Sequence, residues 1–145
     1  MGVDVALLRG LSPFISISEV QLGKVAELCE EKIISAGQTL FQEGEPGIAI
    51  FVVPQDDVEV LFTAGGDALA CIEWVGAGEV LGIRAFFPPY RYMSTARSLT
   101  EGTVLEIDAV RLRELFEQDS YLAISVHECL MQAMLNRVTS LRSKT

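Results

Sequence analysis

One histidine, three cysteines and five prolines are spread over 145 residues. His127 alone cannot assemble two or three imidazoles around a metal, which excludes cupin-type oxygenases and most zinc hydrolases. Cys29, Cys71 and Cys129 are odd in number, far apart and form no CxxC. Neither a disulfide framework nor a zinc knuckle is expected, all three read as small buried hydrophobes, and a reducing cytoplasm is the default location. Long apolar runs are missing as well. The longest, residues 48–53, is too short to span a bilayer, and the opening MGVDVALLRG has no secretory pattern. Basic residues are scarce: 11 Lys and Arg stand against 20 Asp and Glu, a formal net charge of −9. A duplex binder needs a basic face to displace counterions, so no nucleic-acid partner is expected, and anionic membranes are disfavoured likewise. No Ser-His-Asp set, P-loop or metal cluster is evident, so no catalytic residue is assigned and no enzyme is expected. What the chain does have is a 50 % apolar composition, ample for one globular core and incompatible with wholesale disorder.

The apolar pattern changes period along the chain. Val5, Leu7, Leu8 and Leu11 read as helical before a break at Ser12-Pro13. Residues 16–18 offer an N-cap with Glu19 in the first turn, and Val20, Leu22, Val25, Ala26, Leu28 and Cys29 continue at helical spacing to a solvated end at Glu30, Glu31 and Lys32. Short strands then alternate with glycine turns, and Asp56-Asp57 marks one further turn. Val58, Val60 and Phe62 alternate with Glu59, Leu61 and Thr63, while Trp74 reads as core. Roughly eight such strands indicate a closed or double-sheet all-β unit. From Ala109 the pattern is helical again. The expected organisation is one domain over residues 1–145: an N-terminal helical part (1–31), a β unit (32–108) and C-terminal helices (109–145). No DNA-binding domain is expected, since a helix-turn-helix would take roughly fifty further residues.

The stretch Ala36-Gly37-Gln38-Thr39-Leu40-Phe41-Gln42-Glu43-Gly44-Glu45-Pro46-Gly47 places glycines where short strands turn corners. With Gly78-Glu79-Val80-Leu81-Gly82 and Ser94-Thr95-Ala96-Arg97-Ser98-Leu99, it resembles the cyclic nucleotide-binding domain of the catabolite activator and protein kinase regulatory families. The resemblance implies a mainly β fold with flanking helices. That fold is an eight-stranded double-stranded β-helix, a jelly-roll-like β-roll, with N-terminal helices and a long C-terminal helix. It also implies a phosphate-binding cassette entered at Gly82 and left near Thr95. In that family a short helix offers backbone N–H groups to a cyclic phosphate, an arginine pairs with its charge, and a glutamate accepts from the ribose 2′-hydroxyl. Here the glutamate position is Ile83, and Tyr92 or Met93 occupies the arginine position. Both charged ligands are replaced, so the cassette reads as degenerate. The candidate ligand-binding residues are Gly82, Ile83, Arg84, Ala85, Arg91, Tyr92, Met93, Ser94 and Thr95, with Arg84 or Arg91 as substitute cations. A cyclic nucleotide or another small anion is the ligand class the resemblance allows, and tight binding of cyclic AMP or cyclic GMP is not expected. The implied role is a stand-alone regulatory or sensory protein. The alternative is a structural or interaction protein whose pocket is closed by Phe86, Phe87, Tyr90 or Tyr92 and which acts through self-association.

The last helix carries a second pattern. Ile124, Met131 and Val138 recur every seven residues, as do His127, Met134 and Leu141, which makes an a/d seam. Leu122, Val126, Cys129 and Leu130 widen the apolar stripe enough to cover the β unit and still leave a face for a second subunit. The matching helix in the activator family is the dimer helix. A homo-oligomer joined through Ile124, His127, Met131, Met134, Val138 and Leu141 is therefore expected, together with the option of an unidentified protein partner.

Overall fold

In a computed structural model, residues 2–9, 14, 17–54, 58–65, 69–76 and 78–143 are described; 69, 73, 133 and 136–143 are described by backbone only. The Ser12-Pro13 break, the Asp56-Asp57 turn and the side chains of Val138 and Leu141 lie outside the described residues. Two helices come first, α1 (Val5–Arg9) and α2 (Glu19–Ala26). Ser18 caps α2: its side chain accepts from the Gln21 N–H, and the Gln21 side chain accepts from the Ser18 N–H. Arg9 pairs with Glu19 to join the two helices.

Among the described residues eight strands follow: β1 (Cys29–Ile34), β2 (Thr39–Phe41), β3 (Ala49–Val52), β4 (Val58–Ala64), β5 (Leu69–Val75), β6 (Val80–Leu81), β7 (Thr95–Ser98) and β8 (Gly102–Asp108). They form two antiparallel four-stranded sheets, ordered β1-β8-β3-β6 and β2-β7-β4-β5. The sheets share one core: Phe41 on β2 lies 6.2 Å from Phe51 on β3, ring to ring, and every residue of β3 is buried. Two helices close the chain, α3 (Ala109–Gln118), capped by the Asp108 carboxylate on the Arg111 N–H, and α4 (Ser120–Ser143). This is the mainly β roll with flanking helices that the resemblance implied. No helix among the described residues is long and apolar enough to cross a membrane.

Three local expectations are corrected. The span from Cys29 to Lys32 is strand, not the end of α2. Cys29 pairs with Ile107 and Ile34 with Gly102, both Cys29 and Ile34 are buried, and Lys32 bridges to Glu106 on β8 at 2.5 Å. Trp74 is 60 % exposed, because Val75 takes the inward side of β5 and successive strand residues face opposite ways. Of the cysteines, only Cys29 is buried; Cys129 is half-buried and Cys71 is exposed on β5. Burial pushes the Cys29 thiol up to about 12, so it holds few thiolates at neutral pH. A thiol reagent is expected to label Cys71 in the native protein and to reach Cys29 only on unfolding. Peptide mapping of the labelled native protein checks this, and early label at Cys29 contradicts the burial.

Candidate functional site

The cassette grows out of β6. After Leu81, Gly82 takes a left-handed backbone (φ 83°) that side chains resist, and a short 3-10 helix runs over Ile83–Phe86. The chain passes a cis Pro88-Pro89 bond and returns beside the loop between β2 and β3. That return is stitched by backbone bonds: Gly47 N–H to Tyr90 C=O (2.7 Å), Gly44 N–H to Tyr92 C=O (2.9 Å) and Tyr92 N–H to Glu45 C=O (3.1 Å). Gly47 permits the close approach, since a Cβ there would lie 2.6 Å from the Ala85 Cα.

Arg113 of α3 reaches the same place. Its guanidinium donates to the carbonyls of Gly47 (3.1 Å) and Ala85 and lies 4.5 Å over the Tyr90 ring, a cation–π contact. Sequence reasoning missed it, because nothing near residue 113 points to partners at 47, 85 and 90.

Between the cassette and α4 lies a cavity of about 360 Å³. Phe41, Phe62, Val80, Leu81, Phe87 and Met134 wall it with hydrocarbon. The candidates Gly82, Ile83, Arg84, Tyr92, Met93 and Ser94 complete the lining. The structure therefore brings six of the nine cassette candidates together. The other three point to structural duties. Ala85 belongs to the short helix and is buried on its inner side. Arg91 donates to the Gly44 carbonyl at 2.8 Å, and the Thr95 hydroxyl accepts from the Glu43 N–H at 2.9 Å. Phe41 and Phe62 were missed as lining, although the inward parity of Val58, Val60 and Phe62 was a usable signal.

Tyr92 is buried, and its ring stacks on Phe41 at 4.3 Å. Its hydroxyl donates to the Ala49 carbonyl (2.5 Å) and accepts from the Ala49 N–H (3.1 Å). The reason lies in the sheet. β3 pairs with β6 only at Phe51 and Val52, so Ala49, two residues earlier and facing the same side, has no strand opposite it there. The phenol takes the place of the missing ladder partner, satisfying two buried backbone groups at once. Burial pushes the Tyr92 hydroxyl above its ordinary range, the bond to Ala49 opposing.

Among the seam residues, Ile124 and Met131 are exposed and Met134 lines the cavity. His127 turns inward instead, with ring centroids 6.3 Å from Phe86, 6.1 Å from Phe87 and 5.1 Å from Phe116. Leu122, Val126 and Leu130 are buried against the core. Among the described residues, no group of His, Cys, Asp and Glu could hold a metal.

Comparison with known proteins agrees with this geometry. A provisionally named cyclic nucleotide-binding protein of Geobacter metallireducens superposes with a TM-score of 0.83 at 27 % identity, covering 94 % of this chain and 98 % of that one. The catabolite activator protein of Thermus thermophilus superposes at 0.67 with 15 % identity, over 90 % of this chain and 62 % of its own, and shows likeness of fold alone. A Rhodopseudomonas palustris protein provisionally named a potassium channel protein is 20 % identical over 126 residues, which is 87 % of this chain but only 30 % of the relative's length. The family model of the cyclic nucleotide-binding domain matches residues 31–119, the span holding every strand from β2 to β8 and the whole cassette, and the chain belongs to that family.

Proposed function

We propose that this domain is a regulatory module that does not hold cyclic AMP or cyclic GMP tightly and that acts through the packing of α4, including self-association. One observation carries the reading: the side chain near the family arginine's place is Tyr92, buried and with its hydroxyl committed to Ala49. At the other charged position Ile83 presents only hydrocarbon to the cavity. Each charge-assisted hydrogen bond lost costs about 1.5–3 kcal/mol. Losing two weakens binding by roughly 10²–10⁴-fold.

Calorimetric titration with cyclic AMP tests this. No saturable heat is expected at micromolar ligand, since a loss of roughly 10²-fold alone carries a dissociation constant of about 1 µM to about 100 µM. Micromolar or tighter affinity overturns the reading. The alternative of a fully closed pocket has less support, since about 360 Å³ stays open beside Tyr92 and Phe87. Self-association is supported by the outward face of α4, where Tyr121, Ile124, Met131 and Leu135 are exposed on a helix whose opposite side is buried.

A further inference from the structure

We propose that the cassette cavity receives a small amphipathic carboxylate, with its hydrocarbon or aromatic body against the walls and its single negative charge at Arg84. The proposal rests on the reading above that cyclic nucleotides are not clasped. The cavity lies between the cassette and α4, and its walls are predominantly apolar or aromatic. No aspartate or glutamate is among its lining residues. The hydroxyl of Tyr92 faces away from service, held on both sides by the Ala49 backbone. A ribose hydroxyl or a purine edge placed here would lose water and find no side-chain carboxylate, which is costly for polar groups.

Arg84 is the one charged residue in the lining, and it is exposed at the mouth. Among the described residues it makes no ion pair, whereas Arg9 pairs with Glu19, and Arg91 and Arg113 are held by backbone carbonyls. A guanidinium at the rim of a hydrocarbon cavity favours a ligand with one anionic end and an apolar remainder. Met93 and Met134, both partly exposed, can adjust their unbranched chains to the body of such a ligand. The volume equals the liquid share of about a dozen waters, enough for a chain of eight carbons or a phenyl-bearing short acid.

The test is calorimetry at low ionic strength on the intact chain with octanoate and 4-phenylbutyrate, each against its neutral alcohol, and with cyclic AMP in parallel. Octanoate is expected to bind saturably and 1-octanol about tenfold or more weakly. Arg84→Gln is expected to erase that difference by weakening octanoate toward the level of 1-octanol. Met93→Trp, a change at an exposed position, is expected to weaken both by narrowing the mouth. Equal binding of acid and alcohol by the unmodified protein overturns the proposal, as does octanoate binding indifferent to either variant. Absence of octanoate binding, with cyclic AMP also silent, sinks this proposal alone. Micromolar binding of cyclic AMP sinks it together with the reading beneath it.

Discussion

Tyr92→Ala is expected to lower the stability of the fold by about 3–5 kcal/mol, the usual cost of removing a buried aromatic ring. At roughly 3 °C per kcal/mol, the melting temperature falls by roughly 10 °C or more. Two losses combine: the stack on Phe41 disappears, and the N–H and C=O of Ala49 are left without a partner inside the roll. Tyr92→Phe separates them. It keeps the ring and removes only the hydroxyl, so a loss of about 1–3 kcal/mol is expected, the price of unsatisfied buried backbone groups. If Tyr92→Phe is as stable as the parent by denaturant titration, the phenol does not hold the edge of β3.

The same hydroxyl has a pH consequence. Its ionisation is pushed upward in the folded state, chiefly by burial, so the unfolded chain gives up this proton first. The contribution to stability is fully present below the unfolded tyrosine range near pH 10 and is lost as pH rises through the higher folded value. Lys32, raised by its bond to Glu106, acts in the same direction and over a neighbouring window. Tyr92→Phe is therefore expected to flatten the alkaline limb of the stability curve only in part, and Lys32→Met to remove a further portion.

The second large effect concerns assembly. The paired change Ile124→Glu and Met131→Glu is expected to reduce the sedimenting particle to a single chain. Both side chains stand on the outward face of α4, where glutamates of two subunits would meet across a two-fold axis. Neither contributes to the buried row of Leu122, Val126 and Leu130, so the fold itself is expected to survive. Circular dichroism unchanged with a halved mass supports the interface. An unmodified protein that already sediments as one chain removes it.

Much of the fold was legible because its turns are local. Of the glycines placed at strand corners, Gly37 and Gly44 sit at positive φ (87° each), whereas Gly47 does not and is required instead by the close approach of Ala85. The cap at Ser18 was equally local. The stretch from Cys29 to Lys32 was misread for the opposite reason: its apolar spacing continues that of α2, and only pairing with β8, over seventy residues downstream by register, makes it a strand. Trp74 depended on the register of an edge strand, which side-chain type does not encode. At the site, the resemblance put Ile83 and either Tyr92 or Met93 where the family carries its charged ligands, and all three line the cavity. The bonding of Tyr92 could not be read, since the partner of its hydroxyl lies 43 residues away, at Ala49. His127 shows the limit of heptad counting. It repeats in step with Met134, yet the rings of Phe86, Phe87 and Phe116 draw it inward.

Arg113 ties three distant stretches into one mechanical knot. Its guanidinium bonds the Ala85 carbonyl of the short helix Ile83–Phe86 and the Gly47 carbonyl to α3 at once. Between α3 and α4 there is a single residue, Asp119, whose carboxylate both accepts from the Leu122 N–H and anchors Gln21 of α2. A continuous run of bonded contacts thus leads from the short helix through Arg113 and α3 to Asp119, the residue before α4.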